Sequence, residues 1–125
     1  MSNGSNHSSA AISPDGKEIY WTMVINIRKI WFTKLENGRW TKPVNIGSTI
    51  NTPATETCPH IASDESYIVF IRFDETNVKN TGIFISYRDK LGNWLPAVMA
   101  EGGTKEKGGL SPRISPDGKY LFYVN

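Results

Sequence analysis

An all-β chain built from a repeated four-stranded unit is the fold class that the sequence predicts, and three observations carry it. A ten-residue motif occurs twice almost unchanged, as ISPDGKEIYW at 12–21 and ISPDGKYLFY at 114–123. A diverged copy, IASDESYIVF, stands between them at 61–70. No segment shows an apolar period of ~3.6 residues, and the runs 67–71 and 120–124 are apolar without alternation, as in strands covered on both faces.

Alignment on Asp15, Asp64 and Asp117 gives spacings of 49 and 53 residues and defines the elements in order. Each unit opens with a brief strand, expected at 9–13, 58–62 and 111–115. A turn follows. Pro14 and Pro116 pre-set φ at its first central position, Asp15 and Asp117 hydrogen-bond nearby backbone, and Gly16 and Gly118 take the left-handed conformation. The middle copy, Ser63-Asp64-Glu65, lacks both Pro and Gly, so its turn is expected to be strained or of another type. Second strands are expected at 18–25, 66–73 and 119–124, and third strands at 28–35 and 82–88. Gly-containing turns at 36–39 and 90–93 lead into fourth strands over 39–46 and 93–99. The loop 74–82 is longer than its counterpart before Ile30. Trp40 and Trp94 fall at equivalent positions and are expected to fill space between sheets.

Repeats of about 50 residues with four strands, each sheet covered on both sides, are the pattern of a β-propeller. The chain then divides into a polar leader over 1–9, expected to be disordered, a first blade over 10–57, a second over 58–110 and the first half of a third over 111–125. That is a propeller fragment of about two and a half antiparallel blades.

Composition narrows the function classes. The net charge of +2 comes from scattered Lys and Arg, without the basic stripe that a polyanion demands, so nucleic acid is not an expected partner. No apolar run is long enough for a membrane-spanning helix. Residues 1–9 lack the basic start and apolar middle of a signal peptide, which leaves a cytoplasmic location compatible with the sequence. The single cysteine, Cys58, forbids an intrachain disulfide.

Searching for chemistry, we find little. Cys58 and His60 are one residue short of the usual metal-ligand spacing and no second cluster accompanies them, so neither a metal nor a cofactor is expected. Nucleophile elbows and phosphate loops are absent. The turn residues Pro14, Asp15, Gly16, Asp64, Pro116, Asp117 and Gly118 are read as structural, because a catalytic acid repeated at the same joint of every blade has no chemical purpose. In a propeller the first strands border the central channel, and the aligned positions Ala11, His60 and Arg113 differ while their neighbours repeat. Glu56, His60 and Arg113 are therefore the candidate channel-facing binding residues.

The motifs SPDGKEIYW and SPDGKYLFY resemble the PD40, or WD40-like, propeller repeat of the TolB type. The connecting stretch at 37–70 is similar to exported bacterial proteins whose repeats run G-W-x-x-P-x-N-x-G, then I-N, then E-x-x-P-x-I-S-x-D. The resemblance covers residues 10–125. It implies a ring of six blades in intact relatives, a periplasmic or exported location, and scaffolding contacts to protein or glycan in place of catalysis. Six such blades exceed the repeats present here, so self-association into a closed or nearly closed homo-oligomeric ring is expected. The competing reading is a glycan-processing hydrolase or lyase with its site at the channel mouth.

Overall fold

The computed structural model describes residues 6–100 and 110–124. They form three antiparallel sheets in sequence order. The first blade consists of β1 (Asn6–Ile12), β2 (Glu18–Ile25), β3 (Ile27–Glu36) and a fourth strand in two pieces, β4 (Arg39–Trp40) and β5 (Val44–Asn45). The second consists of β6 (Thr55–Ile61), β7 (Tyr67–Phe73), β8 (Gly82–Tyr87) and β9 (Val98–Met99). A third sheet holds β10 (Leu110–Ile114) and β11 (Leu121–Val124). The all-β propeller-fragment reading is what the structure has.

The first strands of the first two blades start earlier than expected. The first strand begins at Asn6, inside the stretch read as a disordered leader, and β6 begins at Thr55. Both extend past the expected start because each carries a bulge that lets pairing continue, with register shifts between Ser8 and Ala11 and between Thr57 and His60. Ser9 and Cys58 occupy the bulges at φ 52° and 54°. Residues 1–5, 101–109 and 125 lie outside the described residues.

The fourth strands are the second difference, broken at Pro43 and Pro96, each of which lacks the donor a ladder needs. In both blades a hydroxyl on the third strand repairs the gap. Thr33 Oγ1 donates to the Thr41 carbonyl at 2.5 Å, and Ser86 Oγ to the Leu95 carbonyl at 2.6 Å.

All three Asp turns close the same way. The amides of Gly16, Glu65 and Gly118 donate to the carbonyls of Ser13, Ala62 and Ser115 at 2.9, 2.9 and 2.8 Å. Each Asp carboxylate accepts the amide two residues on, from Lys17, Ser66 and Lys119. Ser13 and Ser115 add hydroxyl bonds to Asp15 and Asp117, and where Ala62 has none, Ser66 supplies it to Asp64. These bonds, the hydroxyl one first, hold all three carboxyls below the usual range. The middle turn is thus the same turn with Glu65 forced to φ 62°, beside 71° and 73° for the two glycines.

The blades stack front to back. Tyr20, Ile30 and Phe32 on the front of the first blade meet Ile61, Ile68, Phe70, Phe84 and Trp94 on the back of the second, with Ile46 and Ile50 of the linker between them. Val69, Ile83 and Ile85 on the front of the second meet Ile114 and Leu121 on the back of the third. At about 1.5–3 kcal/mol for each fully buried aliphatic or aromatic side chain, these joints supply most of the stabilising burial.

Glu65 is both left-handed and close to Asp15 and Glu18, and burial followed by the Asp15 charge raises its carboxyl pKa. Glu65→Gly removes the backbone strain and the repulsion together, and is expected to stabilise the protein by about 1 kcal/mol. A urea titration checks this; an unchanged or lower midpoint would show that the turn carries no strain.

Candidate functional site

The strongest concentration of charge lies at the joint of the first two blades. Glu56, on β6, has no solvent exposure. Its Oε2 pairs with Lys29 Nζ of β3 at 2.9 Å, and its Oε1 with Arg72 Nε of β7 at 3.1 Å. Thr52 donates to Oε1 from its amide at 3.1 Å and from its hydroxyl at 2.5 Å. Lys29 also donates to the carbonyls of Thr52 and Ala54. Arg72 reaches the Ile50 carbonyl at 2.8 Å and lies 4.2 Å over the Phe84 ring. The carboxylate therefore anchors the linker 50–55 to both blades.

That linker forms the floor of an open cleft of about 810 Å3 between the blades. The tight turn at Asn26, with Arg28 beside it, makes one wall, and Phe73, Glu75 and Thr76 of the longer loop make the other. The loop is held by Asp74, whose carboxylate accepts the Thr76 amide and hydroxyl, the Asn77 amide and the Asn80 side-chain amide. These bonds, that of Asn80 foremost, keep Asp74 below the usual carboxylate range. Arg28 and Glu75 are exposed, and Phe73 is 40% exposed, so the cleft combines both charges with an aromatic face. The longer loop of the second repeat thus builds a wall of the cleft.

Glu56, His60 and Arg113, expected to share the channel, have separate partners. Glu56 is buried in the joint between the first two blades, where both cations and Thr52 reach it. His60 faces the third blade, where the Ile114 amide donates to its Nδ1 at 2.9 Å. Arg113 is exposed and bonds the Pro112 carbonyl at 3.1 Å. Cys58 does not pair with His60: its bulge interrupts the alternation, and its Sγ lies 3.4 Å from Ser9 Oγ of the first blade. No group of metal-ligating side chains occurs among the described residues.

Sequence reasoning missed Lys29, Arg72 and Asn51, and marked the loop 74–82 only by its length. Arg72 carries a signal, a lone charge within the apolar run 67–73. Asn51 is 9% exposed and brackets Ile30, accepting its amide at 3.0 Å and donating to its carbonyl at 2.9 Å, so a side chain stands in for a strand neighbour.

Two outcomes follow. Glu56→Ala strands two cations at the joint and is expected to cost about 3 kcal/mol or more in urea unfolding; a loss below about 1 kcal/mol would mean that water replaces the carboxylate. Burial, with Arg113 adding to it, holds the His60 pKa below its ordinary value. The folded state thus resists a proton that the unfolded state takes up near pH 6.5, so His60 stabilises fully above that pH and loses its contribution as pH falls toward the depressed value. His60→Asn keeps an acceptor for Ile114 and removes the titration. The midpoint should fall more steeply from pH 7.5 to 5.5 in the wild type than in this variant; parallel curves would overturn the assignment.

No family model and no curated protein matches the sequence. Solved structures do. TolB from Acinetobacter baumannii superposes with a TM-score of 0.60 at 16% identity, over 94% of this chain and 26% of that one. A TolB structure from Agrobacterium tumefaciens gives 0.58 at 19% identity, over 100% of this chain and 45% of its own length. The chain thus spans less than half of either structure. At these identities the likeness concerns architecture, and the sheets, turns and joints described above agree with it: the chain has the fold of a TolB-type β-propeller, in consecutive blades.

Proposed function

We propose that the chain is a non-catalytic binding and assembly module: it holds a protein segment or glycan in the cleft between its first two blades and joins copies of itself through its open blade faces. The observation that carries the first half is the cleft itself. Its volume of about 810 Å3 lies within the range of ligand sites, and Arg28, Glu75 and Phe73 offer hydrogen bonding and a stacking face on walls fixed from beneath. The carboxylates at the joints and turns support a non-catalytic reading, since Glu56 and the three turn aspartates are committed to structural bonds. Resemblance to exported propellers supports a place of action outside the cytoplasm.

Arrays of oligosaccharides and of peptides, followed by calorimetry on any hit, test this reading. Binding without turnover is expected, weakened about tenfold, or ~1.4 kcal/mol, by Arg28→Ala or Phe73→Ala. Hydrolysis or elimination of a bound glycan, lost in His60→Asn, would replace the proposal with the enzymatic alternative. Binding that ignores both cleft variants would move the site elsewhere.

A further inference from the structure

We infer that the cleft between the first two blades is a bipolar site for a short peptide with both ends free, its carboxylate held at Arg28 and its ammonium at the wall of Asp74 and Glu75. This rests on the cleft half of the function proposed above and names the ligand. Both walls belong to a joint internal to the chain. Arg28 alternates along β3 with Ile30 and Phe32, which pack against the second blade, so its side chain leaves the strand on that side. Glu75 stands on the loop that Asp74 ties down through Thr76, Asn77 and Asn80, and lines the same cleft.

The floor has little left to recognise a ligand with. Over 52–54 the Thr52 amide donates to Glu56 at 3.1 Å, the Ala54 amide donates to Thr52 Oγ1 at 3.1 Å, and the Thr52 and Ala54 carbonyls accept from Lys29. Pro53 has no amide hydrogen. An extended chain therefore finds no run of donors and acceptors to join there, which removes strand addition as the mode of binding. Recognition falls to the walls, and these carry opposite charge. Arg28 is exposed and enters no ion pair among the described residues. Under the floor, Glu56 offers one carboxylate to two cations, Lys29 and Arg72, which adds positive charge on that side. On the other wall Asp74 is bonded by the neutral groups of Thr76, Asn77 and Asn80, and Glu75 has no ion-pair partner among the described residues.

A net anion is repelled by the second wall and a net cation by the first, whereas a ligand carrying both charges in matching order meets neither penalty. A free amino acid bears both on one carbon, while the two walls stand on different blades with the linker between them. A short peptide separates the charges, and a guanidinium fork suits its terminal carboxylate. The cleft of about 810 Å3 falls in the range of sites for ligands of that size, and Val24, Ile27 and Phe73 add apolar surface for its side chains.

Calorimetry on the intact chain tests this with free alanine and with short alanine- and phenylalanine-containing peptides, each unblocked, N-acetylated or C-amidated. Unblocked peptides are expected to bind without being cleaved. Amidation should weaken them about tenfold and acetylation about threefold, the larger effect falling on the side of excess positive charge. Arg28→Gln should abolish the discrimination against amides, and Glu75→Gln should reduce that against acetylated peptides. Neither variant should move the urea midpoint, since both side chains are exposed. Blocked and unblocked peptides that bind alike, or free alanine that binds as well as any peptide, overturn this ligand; the cleft stands if Arg28→Ala or Phe73→Ala still weakens what binds. Glycans held in the cleft while unblocked peptides are ignored overturn the ligand in the same way. No binding by peptides or glycans, or binding indifferent to both cleft variants, overturns the cleft reading together with this one.

Discussion

One carboxylate without access to water sets the relation between the first two blades. Left alone in that position, Glu56 would cost several kcal/mol in lost hydration. It is tolerated because Lys29 approaches from the first blade, Arg72 from its own sheet, and Thr52 from the linker that joins them. Each partner comes from a different element, so the arrangement exists only when the blades dock at one separation and one rotation. The apolar contacts around Tyr20, Ile61 and Phe70 supply the larger stabilisation, but they are less directional. The ionic cluster makes the docking specific and, by holding the linker from below, fixes the floor of the cleft.

The local structure was legible because turns are written in residue types with few alternatives. Pro14-Asp15-Gly16 and Pro116-Asp117-Gly118 state their conformations, and the strands beside them follow from uninterrupted apolar runs. Even the diverged copy obeyed the register, with Glu65 taking a glycine's backbone conformation instead of changing the turn. The fourth strands were read too long because Pro43 and Pro96 interrupt a ladder whose repair by Thr33 and Ser86 depends on a neighbour distant in sequence.

The candidate site was legible only in part, and for the same reason. Glu56 stood out as an acid near the innermost strand, yet its environment is set by Lys29, 27 residues away, and Arg72, 16 away. Nothing in the order of letters distinguishes Lys29 from Arg28 beside it, although one is mostly buried against Glu56 and the other lines the open cleft. Pairings across a joint leave no periodic trace when each occurs once.

That point changes what variation within the repeat means. Ala11, His60 and Arg113 differ among otherwise similar units, a pattern that invites a ligand-site reading. In the structure Ala11 and His60 lie on faces that the next blade covers, and the joints there differ in kind. The first uses the Glu18–Arg88 ion pair at 2.8 Å, with Arg88 4.2 Å above Trp94; the second uses His60 accepting from Ile114 and Tyr67 donating to Gly118. Identical joints would let any front accept any back, and blades could pair out of order. Distinct chemistry on a common frame penalises the wrong pairing by leaving a charge or a buried acceptor unmet. The repeat thus conserves how each blade folds while its varied positions specify which blade comes next.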